Sequence, residues 1–403
     1  MRFSPIPTRT LLQAGHTVLR SLCLMLGSIT IGILVGCQAA THDVLDVEPP
    51  QARQARRAVH GSKPQETFGA GPTRIGFITA RMANAGESEQ ERDILDGALL
   101  AVDELGDGQL TLAIENTDGS SQQARDAAQR LTGQGVKLIA VSAAKVPLTV
   151  VREGVASRGL PILAFRNSAP DLPAGTFSFV SDRIDSAVEG ASYAAASGRT
   201  RLIVLLSADL TASERQRLDA GLARDNIKPL LVSTPGAVSF SGDSPLKAKV
   251  KDVDSVLLLN AGDGDVGALA QLRANGFLKP NAIVLGSSDW PSAAYQRPEL
   301  AGSQLCLFGP ESGSRMTSSF RQRYERTANV YGAYGFDFIA LVAGLVRTGG
   351  QEAINEQSIR SPNGFIGAAA AFRFEGGSVK RTCAIYQIAR GSLHLVDPAP
   401  RSF

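Results

Sequence analysis

The stretch Gly262-Asp263-Gly264-Asp265-Val266-Gly267 has the spacing of a dinucleotide fingerprint. It matches G-x-G-x-x-G, follows an apolar run and opens a helical pattern. Its chemistry runs the other way, because Asp263 and Asp265 would face a pyrophosphate and repel it. The same two carboxylates would start a calcium loop only with further oxygen ligands at set spacings, and these are not spelled out. The stretch reads as a tight strand-to-helix turn with acids well placed at the helix N-terminus. The imidazoles are His16, His42, His60 and His394, so residues 73–393 hold none. That argues against a Ser-His-Asp hydrolase, a Cys-His enzyme or a histidine-ligated zinc site. Carboxylate-only chemistry stays open, but no catalytic motif is present. The expectation is a non-enzyme with no cofactor and no metal.

The cysteines are Cys23, Cys37, Cys306 and Cys383. Arg2, Arg9 and Arg20 precede an apolar run from Leu22 to Val35, which ends in Leu34-Val35-Gly36-Cys37. A basic start, an apolar stretch and small residues before a cut form a secretory signal. The cysteine after Leu-Val-Gly resembles a bacterial lipobox. That resemblance implies that residues 1–36 are removed and that Cys37 is diacylated, tying the chain to membrane lipid. An ordinary signal peptide or a membrane span with a chance cysteine is the competing reading. The run is short for a span, and polar Gln38-Ala39-Ala40-Thr41 follows it. Cys306 and Cys383 then lie in an oxidising compartment, either as a disulfide or as two buried thiols.

Removal of residues 1–36 takes away three arginines and no acid, leaving basic and acidic side chains equal in number. A neutral body without a basic tract gives no electrostatic case for nucleic acid. Residues 37–72, rich in Gln, Ala, Pro and Arg, read as a flexible tether. From Thr73 short apolar runs alternate with amphipathic stretches. RIGFI (Arg74–Ile78) precedes a helix over about Gln90–Leu105, with Ile94, Leu95, Ala98, Leu99 and Val102 on one face. The alternation restarts at Leu202–Leu206 and ends in a hairpin expected to pair Ala370–Phe374 with Cys383–Ala389 around Gly376-Gly377. Continuous apolar strands between helices imply an α/β chain with parallel sheets covered on both faces. The expectation is two doubly wound parallel-sheet lobes with a hinge and an interlobe cleft. Lobe 1 takes 73–180 plus 310–360, and lobe 2 takes 181–309 plus 361–395. The chain joins the lobes near residue 181 and recrosses near Gly309–Ser312 and Ile359–Gly364.

Asp96-Gly97-Ala98, the pair Gly135–Ala144 and Gly159–Ser168, and Ala333-Tyr334-Gly335-Phe336-Asp337 occur in that order. This order resembles the type I periplasmic-binding-protein fold of the Leu/Ile/Val-binding group, over about residues 73–390. Leu105–Asn116 (LGDGQLTLAIEN) is similar to a segment of the penicillin-binding protein activator lipoproteins of proteobacteria. The transport members' Gly-Pro-Leu-Thr-Gly is replaced after the first strand by Thr79-Ala80-Arg81-Met82-Ala83-Asn84-Ala85-Gly86. Ser142-Ala143-Ala144-Lys145 stands where they often have Gly-Pro, and Ser207-Ala208-Asp209-Leu210 where they often have Tyr-Gly.

An amino-acid receptor needs hydroxyls and backbone N–H groups for a carboxylate, and an acid for the ammonium. By the resemblance, Thr79, Ser142, Ala143, Asn167 and Ser168 are first-lobe cleft candidates. Asp209, Asp263 and Asp289 are the acids, and Trp290 is a candidate aromatic lining. Ser142 and Ser168 read equally as helix-start or turn residues, and Trp290 as packing. The resemblance implies a lipid-anchored periplasmic regulator of peptidoglycan synthesis, at the outer membrane because Gln38 follows Cys37, with a penicillin-binding synthase as partner. The alternative is a solute-binding lipoprotein for an amino-acid-like ligand, serving an ABC permease.

Overall fold

The computed structural model describes residues 63–83, 87–169, 172–311 and 313–403. Cys37, the signal and most of the expected tether lie outside the described residues. The first half runs β1 (Gln65–Gly69), β2 (Thr73–Thr79), α1 (Glu89–Leu105), β3 (Leu110–Asn116), α2 (Ser121–Gly133), β4 (Ile139–Val141), α3 (Leu148–Gly154), β5 (Ile162–Ala164) and β6 (Thr176–Ser178). It continues through α4 (Arg183–Ala196), β7 (Leu202–Leu205), α5 (Ala212–Arg224), β8 (Leu231–Ser233), α6 (Leu246–Lys249), β9 (Val253–Leu258), α7 (Asp263–Ala274), β10 (Leu278–Gly286) and β11 (Gln304–Leu307). Then come α8 (Arg315–Tyr324), α9 (Val330–Gly349), α10 (Glu356–Ile359), β12 (Phe365–Ile366), β13 (Ala371–Glu375), β14 (Ser378–Arg381), β15 (Ala384–Ala389) and β16 (Ser392–Asp397).

The first sheet has the order β1-β3-β2-β4-β5-β6, parallel except for β1. Alternate side chains of its strands feed two cores. Ile75, Phe77, Leu112 and Ile114 face one, with α1 and α9, while Ile78, Ala113, Ile139 and Val141 face the other, with α2 and α3. Burial on both faces is why these strands are apolar without interruption. The second sheet has the order β16-β15-β11-β10-β9-β7-β8, with β15 and β16 antiparallel. Its two faces are covered by α7 on one side and by α4 and α5 on the other.

The helices start where local chemistry dictates. Ser88 and Glu91 form a reciprocal capping box at α1, as do Asp182 and Asp185 at α4. The turn at Gly262 opens α7 with Asp263 and Asp265 in its first turn, and the Gly262 N–H donates to Asp265 Oδ2 at 3.1 Å. α9 is long and apolar enough to cross a membrane, but it is the core helix of the first lobe, packed along α1.

Four differences from the sequence expectation have physical reasons. Gln65–Gly69, at the end of the expected tether, is a strand pairing Gln65 with Glu115 and Gly69 with Thr111, with Phe68 packed against the first core. α4 was not expected, because most of its inward positions, Ser186, Ala187, Gly190, Ala191 and Ala194, are small residues that do not stand out as an apolar face. The expected hairpin is divided: β13 pairs with β14, whereas β15 pairs with β11 and β16. The third crossing consequently lies at Thr382-Cys383 and not near Ile359–Gly364. The small sheet β12-β13-β14 stays with the first lobe because Phe372, Phe374 and Val379 complete its core around Phe177 and Phe179.

Candidate interlobe site

The carboxyl ends of β2, β4 and β5 carry the first-lobe candidates, and those of β7, β9 and β10 carry the second-lobe ones. In the first lobe most of the candidate polar groups are engaged within the protein. The Thr79 hydroxyl donates to Asn116 Oδ1 at 2.8 Å, and the Ser142 hydroxyl points to the Ile78 carbonyl at 3.4 Å. The Ser168 and Ser178 hydroxyls share a bond of 2.9 Å. Beyond Ala143, the Ala144 N–H donates to Glu91 Oε1 at 3.0 Å. Arg166 donates to the carbonyls of Ala143, at 2.7 Å, and Val146. Among these candidates Asn167 alone is exposed, and Ser142 and Ser168 are buried.

Glu91 and Arg166 were not among the sequence candidates. The Ser88-x-x-Glu91 spacing does announce the helix start, since Glu91 Oε2 receives the Ser88 N–H at 3.1 Å. Its second oxygen reaches across to the β4 loop, which no local pattern reveals. Beside it Arg81 lies 3.6 Å from Glu66 and 3.4 Å from Glu87. Burial pushes the Glu87 carboxyl up to about 7 even though Arg81 opposes the shift.

Two of the three second-lobe acids, Asp209 and Asp263, are paired. Asp209 accepts from Ser207 Oγ and lies 3.3 Å from Arg183; the Ser207 hydroxyl, helped by Arg183, holds it below the usual carboxylate range. Asp263 is fully exposed and meets Arg297 at 2.9 Å. Asp289 is exposed on its loop; partial burial of its carboxyl raises its pKa against the opposing charge of Arg183, and the charges of Asp182, Glu214 and Asp209 add to the rise. Arg217 bridges Asp182 at 2.7 Å and Asp185 at 3.0 Å, and burial with the Asp182 charge pushes Asp185 up to about 6. Across the lobes, Tyr331 on α9 senses Asp289 and Asp182; burial, then those charges, raise its phenol.

Trp290 packs. It is 3% exposed, its ring lies on Gly286 so closely that an added Cβ there would sit 2.8 Å from it, and its Nε1–H donates to the Leu258 carbonyl at 3.2 Å. Cys306 and Cys383 form a disulfide with Cα atoms 5.4 Å apart. A groove of about 1010 Å³ is lined by Leu105, Phe308, Met316, Phe336, Phe365 and Leu395, among others, and by none of the ligand candidates. Among the described residues, no group of three or more His, Cys, Asp or Glu is placed to hold a metal ion.

No curated protein matches the sequence. Solved structures do match the fold. The ABC transporter substrate-binding protein from Desulfitobacterium hafniense in complex with Leu aligns at 16% identity, over 80% of this chain and 99% of that one, with a TM-score of 0.51. The LpoA (YraM) C-domain from Haemophilus influenzae, a regulator of PBP1A, aligns at 15% identity over 80% of this chain and all of that domain, with a TM-score of 0.60. Haemophilus influenzae LpoA in a monoclinic form gives 15% identity, 81% of this chain, 59% of that chain and a TM-score of 0.58. These identities speak for a shared fold, in which binding and regulatory proteins both occur. The description "Periplasmic binding protein" fits residues 72–391 of the sequence. With two parallel-dominated sheets, the crossings between them and that match over most of its length, the chain belongs to the periplasmic binding protein family.

Proposed function

We propose that this protein is a lipid-anchored, non-enzymatic periplasmic regulator of peptidoglycan synthesis that acts by contact with a penicillin-binding synthase. The observation that carries the reading is the closed donor set of the first lobe. A receptor of this fold would offer free hydroxyls and N–H groups to a ligand carboxylate. Here Thr79, Ser142, Ser168 and the Ala144 N–H are each engaged within the protein, and Arg166 fills the space beside the Ala143 and Val146 carbonyls. Breaking those bonds to admit a solute would cost about as much as the new bonds return. The Haemophilus influenzae LpoA domain, a regulator of PBP1A, supplies the partner class, and Cys37 supplies the anchor, with Gln38 directing it to the outer membrane.

A second reading, a solute receptor for an ABC permease, has the exposed Asn167 and the Asp289 carboxylate in its favour, along with the Leu-bound neighbour. In-cell crosslinking of the full lipidated protein, followed by mass spectrometry, separates the two. Enrichment of a penicillin-binding synthase is the expected result. Enrichment of an ABC permease in its place would overturn the regulator reading.

A further inference from the structure

We infer that the hinge between the lobes is clamped, so that they hold one angle instead of opening and closing. The clamp is the Cys306–Cys383 bridge acting with the buried Arg381–Asp337 pair. This inference deepens the reading above, in which a fixed surface meets a partner, and its test needs no partner.

Lobe closure in a two-lobed protein requires the crossing segments to change their backbone angles while the lobes stay rigid. Three segments cross here: from β6 to α4, from β11 to α8, and from β14 to β15. On the second-lobe side they converge on Cys306. That residue is the last but one of β11, just before the second crossing begins, and its disulfide partner Cys383 ends the third crossing. The hydroxyl of Ser186, on the helix that follows the first crossing, donates to the Cys306 carbonyl at 2.6 Å. The second and third crossings are therefore joined covalently at their root, and the first is bonded to the same residue.

On the first-lobe side the three segments converge on Asp337 and Arg381, both with no exposed side-chain surface and 2.9 Å apart. Arg381, at the start of the third crossing, also donates to the Phe179 carbonyl on the first, at 3.3 Å. The Tyr334 hydroxyl holds the first crossing at the Ser181 carbonyl, at 3.1 Å. Asp337 accepts from the N–H groups of Ala368 and Ala369, and the Ala369 carbonyl takes the Gly309 N–H of the second crossing at 3.3 Å. The Thr382 N–H donates to the Ala371 carbonyl at 3.0 Å. The rings of Tyr334, Phe179 and Phe372 enclose the guanidinium at 4.4 to 4.7 Å. Pivoting about any one crossing thus pulls on the other two.

The test uses the full chain with spin-labelled unnatural residues at the exposed positions Ser157, in the first lobe, and Gln271, in the second. Pulsed electron resonance reads the interlobe distance, and hydrogen exchange reads the Gly309 and Thr382 amides. The oxidised protein is expected to give one narrow distance distribution. Cys306→Ala/Cys383→Ala is expected to widen it by about twofold or more, with exchange at the two amides about tenfold faster. Reduction of the folded wild type serves where that variant does not fold. Asp337→Asn/Arg381→Met tests the other half of the clamp with the cysteines untouched. A broad distribution in the oxidised wild type overturns the inference, as do equal widths and equal exchange in all forms. Failure to capture a partner leaves these readouts unmoved, so the two ideas fail separately.

Discussion

At the scale of single residues, Asp337 is the most consequential side chain. It is fully buried, and burial pushes its carboxyl up to about 6 against the pull of Arg381 and of the Ala368 and Ala369 N–H groups. An ordinary aspartate in the unfolded chain sits near 3.8. Between those values the folded protein holds the proton more tightly, so this group favours folding at low pH and that contribution fades as pH rises toward 6. The fade amounts to about 3 kcal/mol at most. Asp337→Asn keeps an oxygen for the Ala368 and Ala369 N–H groups and does not titrate. The stability of the wild type minus that of this variant should fall as pH goes from 4 to 6, and be level above 7. Denaturant midpoints at four pH values measure it, and Asp185 and Glu87, which titrate nearby, cancel in the difference. A difference that is flat with pH would show that Asp337 does not titrate there.

At the scale of elements, the first lobe depends on how closely α1 approaches α9. A Cβ on Gly335 would sit 1.8 Å from the Ile94 carbonyl oxygen, and one on Gly97 would sit 1.9 Å from that of Gly332. Backbone meets backbone there, and no side-chain rotation relieves it. Gly335→Ala should cost about 3 kcal/mol through forced separation of the helices. Gly344→Ala, on the same helix with nothing within 4 Å of its added Cβ, should be neutral or gain up to about 1 kcal/mol. Urea unfolding of both variants checks the contrast, and equal losses would refute the backbone-contact account. Much of this was legible in the sequence. The apolar face of Ile94 to Val102 marks the first of these helices in the sequence, whereas Ala333–Asp337 stands out only through the resemblance it helps to carry. What was not legible depended on distant partners. Arg381 looks like a surface charge until Asp337 and three rings are placed around it. Gln65–Gly69 looks like linker until the open edge of β3 meets it. Glu91 announces a helix cap, and only the fold shows its second oxygen on the Ala144 N–H.

At the scale of the whole molecule, two features point the same way without depending on each other. The Thr79, Ser142 and Ser168 hydroxyls and the Ala144 N–H are engaged within the first lobe, and the three crossings are bonded to one another. Together they separate a receptor from a scaffold by a thermodynamic measure. A receptor with micromolar affinity, given about 1 mM of its amino acid, gains about 4 kcal/mol of stability, which moves a melting point by several degrees. The closed donor set predicts no such shift with any free amino acid, whereas a captured partner protein should raise the melting point in proportion to its affinity. Thermal unfolding of the full chain across the free amino acids is therefore the sharpest global test. One amino acid that shifts the midpoint by several degrees would mean that Glu91 releases the Ala144 N–H on binding. Glu91→Gln would then change that affinity, because a neutral acceptor lets the N–H go more readily than a carboxylate does. Absence of any shift, with the hinge distance unchanged, leaves a rigid two-lobed surface whose specificity must lie on its outside.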